Sequence, residues 1–267
     1  MPRIILFPYK VRSRSASRLQ EYLEEEGADC VKVYPDRNYQ PRADDLIIGW
    51  GSGDWPAWRR AADRTEATWL NPSDKIIHSV NKQTTFSLFN AAHIPCPEYT
   101  SRSSIARRWL LEGHTVLARQ EIEGRDGSGL VVMESGEDLV EANLYTKYQE
   151  KTAEYRVHVF TGEAFWAQER VPIEEEANSF YRENPDQRIR VSKNGWTLYI
   201  ANRTCPRSCF LVAIQAVSAL GLDFGAVDIG YNSRNNQVCV YEVNTAPELS
   251  DRTCSAYVEQ ILAMRRI

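Results

Sequence analysis

Apolar and polar positions change period several times along the chain, and each change predicts an element. Residues 3–7 form a compact apolar run that reads as a buried strand. Leu19, Tyr22 and Leu23 then recur at helical spacing, and Gly27 stops that helix after a run of glutamates. Short apolar runs at 31–34 and 46–48 are bounded by turn residues. The alternation of strand and helix predicts a small α/β lobe with a parallel sheet over residues 1–75, closing near Asn71 and Pro72. A helix over 81–92 follows, with Phe86, Phe89 and Ala92 on one face and Pro95 and Pro97 beyond its end. Residues 116–120 and 129–133 read as a hairpin around a polar glycine loop. Residues 143–149 and 154–160 read as another strand pair. The second alternates cleanly, with Tyr155, Val157 and Val159 on one face and Glu154, Arg156 and His158 on the other.

Residues 174–190 are charged and aperiodic, which predicts a solvated loop or lid. Pro206 opens a helix with a buried stripe of Phe210, Ile214 and Val217, ended at Gly221. Two strands at 225–230 and 238–244 follow, and a last helix buries Tyr257, Val258, Ile261 and Leu262.

Composition adds limits. The 267 residues, 43% hydrophobic and 25% charged, suit a globular chain of one large or two to three small lobes. A net charge of −4 argues against broad nucleic-acid binding. Arg12, Arg14 and Arg18 read either as a solvated helix face or as a local anion-binding exception. No apolar run approaches membrane-spanning length, and residues 1–9 are too short for the apolar core of a signal peptide. With Cys30, Cys96, Cys205, Cys209, Cys239 and Cys254 scattered, the expectation is a cytoplasmic protein with free thiols and no membrane partner. Cys205 and Cys209 form half a metal knuckle without a second pair. Gly49, Gly51 and Gly53 after a strand read either as a close approach to an anion or as a tight turn.

The most informative chemistry lies near the C-terminus. Strand alternation puts Glu242 and Asn244 on one face, with Val238 and Val240 lower on the same face and Cys239, Tyr241 and Val243 on the other. Asp228 interrupts an otherwise apolar strand just before. If the strands pair, these oxygen donors converge, and a divalent cation such as Mg²⁺ relieves the repulsion between carboxylates. On spacing alone the alternative is a strand-end Asp and an unrelated solvent-facing Glu.

The order of motifs resembles the ATP-grasp superfamily of carboxylate–amine ligases, over roughly residues 71–249. The resemblance rests on Val80-Asn81-Lys82 before a helix and Ile94-Pro95-Cys96-Pro97, then Gly124-Arg125-Asp126-Gly127-Ser128-Gly129, then Glu154-Tyr155-Arg156-Val157. Leu220 to Asp228 and Tyr241-Glu242-Val243-Asn244-Thr245-Ala246-Pro247 complete it. It implies an α/β ATP-grasp fold: a truncated N-terminal α/β lobe (1–75), a central lobe with the glycine loop (76–147) and a C-terminal lobe with the metal site (148–267). Trp50-Gly51 and the Glu154–His158 pattern are similar to a short subgroup often encoded by tailed bacteriophages.

The resemblance further implies ATP and Mg²⁺ as cofactors, with Asp228, Glu242 and Asn244 as metal ligands. Lys82 and Arg119 would contact the phosphates, Arg119 standing where many members carry lysine. Gly124, Gly127, Ser128 and Gly129 would cover the nucleotide, Lys147, Tyr148 and Gln149 would line the adenine hinge, and Glu154 would bind the ribose. Many members have an arginine two residues before the metal aspartate; here it is Ala226, so Arg156 or Arg203 would steady an acyl phosphate. Arg156 reads alternatively as an ion-pair partner of a neighbouring carboxylate. Lys193, with Arg188 and Arg190, is a candidate for the γ-phosphate. The implied reaction joins a carboxylate of an amino acid, peptide or protein to an amine. The competing readings are a kinase that stops at a phosphorylated product and a nucleotide-binding module without turnover.

Overall fold

In the computed structural model, residues 3–54, 56, 65–122 and 128–264 are described. Three sheets form. The first is parallel, ordered β2-β1-β3-β4 from β1 (Ile4–Pro8), β2 (Cys30–Lys32), β3 (Leu46–Trp50) and β4 (Thr68–Leu70). Its inner strands β1 and β3 are buried at every position, as their unbroken apolar sequences require of strands covered on both faces. Helix α1 (Arg14–Glu25) crosses between β1 and β2; Ser13 caps it, and Gly27 follows it at φ 78°.

Asn71 joins this sheet to the rest of the molecule. Its Oδ1 accepts from the Asp223 and Phe224 amides at 2.7 and 3.2 Å, and its Nδ2 donates to the Phe224 carbonyl at 2.8 Å. Its carbonyl lies where a Cβ on Gly49 would sit, at 2.0 Å, so Gly49 is fixed by close approach rather than by turn geometry. Helices α2 (Ser73–Val80) and α3 (Lys82–Ala91) follow, the second capped by Asn81 Oδ1 at 3.1 Å from the Thr84 amide.

The second sheet is antiparallel, ordered β5-β8-β6-β7, from β5 (Tyr99–Thr100), β6 (Val116–Arg119), β7 (Leu130–Met133) and β8 (Leu144–Lys147). Helix α4 (Ser103–Leu111) lays Ala106, Trp109 and Leu110 over Val116, Ala118, Met133 and Tyr145.

The third sheet, β11-β10-β9-β12-β13, is also antiparallel. It contains β9 (Ala153–Phe160), β10 (Glu163–Pro172), β11 (Trp196–Ile200), β12 (Phe224–Asn232) and β13 (Gln237–Asn244). The expected pairing of 143–149 with 154–160 does not form. Thr161 and Gly162 have φ of 45° and 85°, the two left-handed positions of a primed hairpin turn, so β9 pairs instead with its own continuation β10 and with β12. The strand β8 goes to the second sheet, between β5 and β6.

Helix α5 (Arg207–Ala219) packs on one face of the third sheet, against Val157, Val159, Val227, Ile229 and Val240. Its buried stripe is Cys209, Val212, Ala213, Ala216 and Val217; Phe210 and Ile214, expected to lead the stripe, are half-buried at its margin. Small residues let the helix sit close, and this rotates the larger side chains toward its flank. Helix α6 (Asp251–Met264) covers half of the sheet's other face with Tyr257, and joins Val258 and Ile261 to the core under α1. The remaining half of that face carries charge. The segment 174–190 lacks helix and strand and is largely exposed.

Candidate active site

Register puts the charged residues in one row. Arg156 on β9 stands opposite Asp228 on β12, and Asp228 stands opposite Glu242 on β13. Asn244 lies opposite Ala226, one step along the same face. The strands therefore bring together the oxygen donors that alternation predicted.

The lower half of β13 differs from the expected alternation. The ladder passes from Asp228↔Glu242 to Ile229↔Val240, which leaves Tyr241 as an extra residue in a β-bulge. The bulge turns Val238 and Val240 toward the α5 core, alongside Val243 rather than Glu242. Tyr241 stays on the face that carries Asp228, its ring 4.9 Å from the Lys151 ammonium, and its hydroxyl occupies the space a Cβ on Gly230 would need.

Each carboxylate in the row is met by a cation. Arg156 donates two parallel bonds to Asp228, both 2.7 Å, and both side chains are nearly buried. Burial disfavours the Arg156 charge, but Asp228, followed by Glu242 and Glu154, outweighs it and raises the guanidinium pKa. Lys82 reaches Glu242 at 2.6 Å, and the Asn244 amide donates to the other Glu242 oxygen at 3.0 Å. Burial opposes the Glu242 charge too, yet Lys82, Asn244 and Arg156 hold its carboxyl well below the usual range. Lys82 is the first residue of α3, where the helix dipole repels a cation. That locally unfavourable placement is explained by its long-range partner on β13.

Among the described residues no three His, Cys, Asp or Glu side chains cluster closely enough to hold a metal. The row offers two carboxylates and one amide, and a half-turn of the Asn244 amide would present its oxygen beside Glu242. Such an oxygen-only set, leaving positions for water and phosphate, fits Mg²⁺. Cys205 and Cys209 are buried free thiols.

The second sheet faces this row. Arg119 ends β6 with its Nε buried and without a hydrogen bond among the described residues; burial lowers its pKa, and the Glu242 charge partly opposes this. Thr146 Oγ1 on β8 is likewise buried without a partner. Lys147 points the other way: its ammonium is 3.0 Å from Glu98 and 5.2 Å from the centre of the Trp109 ring on α4. The amides of Lys147 and Tyr148 bond to the carbonyls of Glu98 and Thr115. Gln149 is half-buried in the crossing from β8 to β9. Glu154 is buried and bonded to Lys151 at 2.8 Å. Ser128 and Gly129 lie just before β7, with the Gly129 carbonyl accepting from Gln120; Gly124 and Gly127 fall outside the described residues.

Other candidates lie in the loops and turns that flank β11. Lys193 is exposed on the 3₁₀ turn Ser192–Asn194. Arg203 is exposed in the turn before α5, and no ion pair ties it to Asp228 or Glu242 among the described residues. Arg188 bonds to Asp186 and to Glu134 of the second sheet. Arg190 stacks 4.5 Å over Trp196. Three residues at the row were not expected from sequence: Lys151, Tyr241 and Arg170. Arg170 on β10 lies 3.8 Å from Asp228 and 3.7 Å from Glu154.

No family model matches the chain, and no curated protein matches it. Its likeness is to solved structures. The ATP-grasp ligase PsnB complexed with a minimal precursor superposes with a TM-score of 0.71 at 13% identity, covering 99% of each chain. A RiPP-associated ATP-grasp ligase from Chryseobacterium gregarium, with ADP and a leader and core peptide, gives 0.64 at 15% identity, covering 100% of this chain and 98% of that one. D-alanine–D-alanine ligase from Bacillus anthracis gives 0.67 at 12%, covering 100% and 99%. The chain has the ATP-grasp fold.

Proposed function

We propose that this chain is a ligase that uses Mg²⁺ and ATP to activate a carboxylate as an acyl phosphate and joins it to an amine. The observation that carries the reading is the row Arg156–Asp228–Glu242, met by Lys82 from the start of α3, on a fold whose similar structures are ATP-grasp ligases. The carboxylate belongs to an amino acid, peptide or protein; similar ligases held with precursor, leader or core peptides favour a peptide.

Asp228, Glu242 and Asn244 would hold the cation, which supplies charge neutralisation at the phosphates when bound. Lys82 approaches from the start of α3 and Arg119 from the facing second sheet, where their charge can follow phosphate oxygens. Lys82 now neutralises Glu242, so a cation arriving on Glu242 frees the ammonium for an anion. Lys151, Tyr148, Gln149 and Tyr241 would enclose the base, with Glu154 on the ribose. Tyr148 and Tyr241 are both kept protonated, chiefly by burial. None of the six cysteines is needed.

The test is an ADP-release screen over amino acids and short peptides, with and without hydroxylamine. Wild type should release ADP only with Mg²⁺ and a carboxylate, and hydroxylamine should trap a hydroxamate. Asp228→Asn and Glu242→Ala should each lower that rate more than about 100-fold, by analogy with loss of transition-state charge stabilisation, with unchanged circular dichroism. Full activity in both variants would remove the metal assignment. ADP release without any carboxylate would point to a phosphotransferase instead.

A further inference from the structure

A cleft of about 350 Å³ opens between β10 and the exposed flank of α6. Phe165 and Trp166 line its strand side, Asn202 one end, and Arg252, Ala256 and Glu259 its helix side. Successive residues of a regular strand face opposite ways, so Phe165 and Trp166 could not both line one cleft. The register shift between Ala164 and Trp166 removes that constraint, because a bulge re-aims the side chains beside it. The Phe165 ring centre lies 5.0 Å from that of Tyr257 and 6.2 Å from that of His158, which fixes an apolar wall.

Donors are in excess here. Trp166 Nε1 is buried and has no hydrogen-bond partner among the described residues, and an enclosed N–H without an acceptor is costly. Asn202 Oδ1 accepts from the Ala167 amide at 2.6 Å, which leaves its NH₂ as the open group. Arg252 is exposed, and no ion pair holds it among the described residues. These donors beside an apolar wall match a carboxylate on an apolar body. Glu259, two turns along α6 from Arg252, has no cation of its own among the described residues and suits an ammonium. The volume lies near the lower end of ligand pockets, roughly 300 Å³ upward, and suits one amino acid rather than a nucleotide.

We propose that this cleft binds a free amino acid with an apolar side chain. Its carboxylate meets Trp166 Nε1 and Arg252, its ammonium faces Glu259, and its side chain lies against Phe165. The cleft uses none of the residues proposed for the nucleotide or the metal, so the site goes beyond the ligase reading and does not depend on it.

Phenylalanine, N-acetylphenylalanine and phenylalaninamide serve as probes, titrated into the full chain without nucleotide. The indole N–H signals of its seven tryptophans are followed by NMR, and Trp166→Phe assigns one signal by removing it. Phenylalanine should shift the Trp166 signal and bind at least about 10-fold more tightly than either derivative, since one lacks the ammonium and the other the carboxylate. Arg252→Gln should weaken phenylalanine at least about 10-fold. Glu259→Gln should erase its advantage over N-acetylphenylalanine, and both variants should keep the wild-type unfolding temperature. An unmoved Trp166 signal, or equal binding of either derivative to wild type, would overturn the proposal. So would phenylalanine affinity unaltered by Arg252→Gln, which would place the ligand elsewhere.

Discussion

His158 and Arg156 are two residues apart on the same face of β9, and they are buried in opposite ways. His158 is fully enclosed, with Nδ1 at 3.1 Å from the Tyr257 hydroxyl and Nε2 at 3.1 Å from Gln168 Oε1. Burial first, and then the Arg156 charge, push its pKa down to about 3, so it is neutral. Arg156 is instead bonded to the charged Asp228, and a second guanidinium, Arg170, lies 3.8 Å from the same carboxylate with no side-chain hydrogen bond among the described residues. The boundary is the edge of α6: where Tyr257 covers the face, polar groups satisfy each other, and where α6 ends, they are left for something else to satisfy. A neutral, closed network fixes structure, whereas an open charged one fits a ligand site.

The largest expected effect comes from breaking the charged side. Arg156→Met leaves Asp228 buried without its bidentate partner and should cost about 3–5 kcal/mol in urea unfolding. The double variant Arg156→Met/Asp228→Leu should recover most of that loss. A cost below about 1 kcal/mol in the single variant would mean that water serves Asp228 as well as Arg156 does.

The neutral side answers to pH. The folded state holds His158 unprotonated while the unfolded chain takes up a proton below about pH 6.5, so His158 stability is complete above that value and falls as pH drops toward 3. Between about pH 7.5 and 5.5 this linkage amounts to roughly 1.4 kcal/mol. His158→Phe should flatten stability over that window, at a lower overall level because Tyr257 and Gln168 lose a partner; an unchanged slope would exclude His158 as its source. Glu242 acts lower. Its depressed carboxyl contributes above about pH 4.3 and loses its contribution only as pH falls further, which separates the two windows.

The smallest effect belongs to an ion pair outside this face. Arg188 and Glu134 link the third sheet's loop to the second sheet, Arg188 half-buried and Glu134 exposed. Arg188→Ala should change thermal stability by less than about 1 kcal/mol.

Legibility in the sequence follows the same division. Short-range rules read well: the helix expected over 81–92 forms at Lys82–Ala91, Gly27 stops α1, and period-2 alternation located Glu154 and Arg156. Asp228, Glu242 and Asn244 were legible because their strands pair nearly as alternation requires. The Tyr241 bulge was not, since one extra residue leaves no mark on an alternating sequence until its partner strand is known. Arg170 was hidden for a related reason. A register shift between Ala164 and Trp166 breaks the period of β10, and only the hairpin at Thr161 and Gly162 shows that Arg170 faces Glu154. Lys151 lies in a crossing between sheets, where no periodicity applies.

The buried amide of Asn71 has a mechanical consequence. By clamping the start of β12 to the end of β4, it welds the first sheet to the strand that carries Asp228. Helix α3 is anchored on the same body through Phe86 and Phe89, and the Pro95 carbonyl is pinned to Val240 on β13. These parts form an anvil, and the sheet β5-β8-β6-β7 is a jaw hung from it where the chain passes 95–98 and 148–152. Under the proposed ligase reading a nucleotide would enter and leave by movement of that jaw, and the ion pair of Arg188 with Glu134 would be its latch.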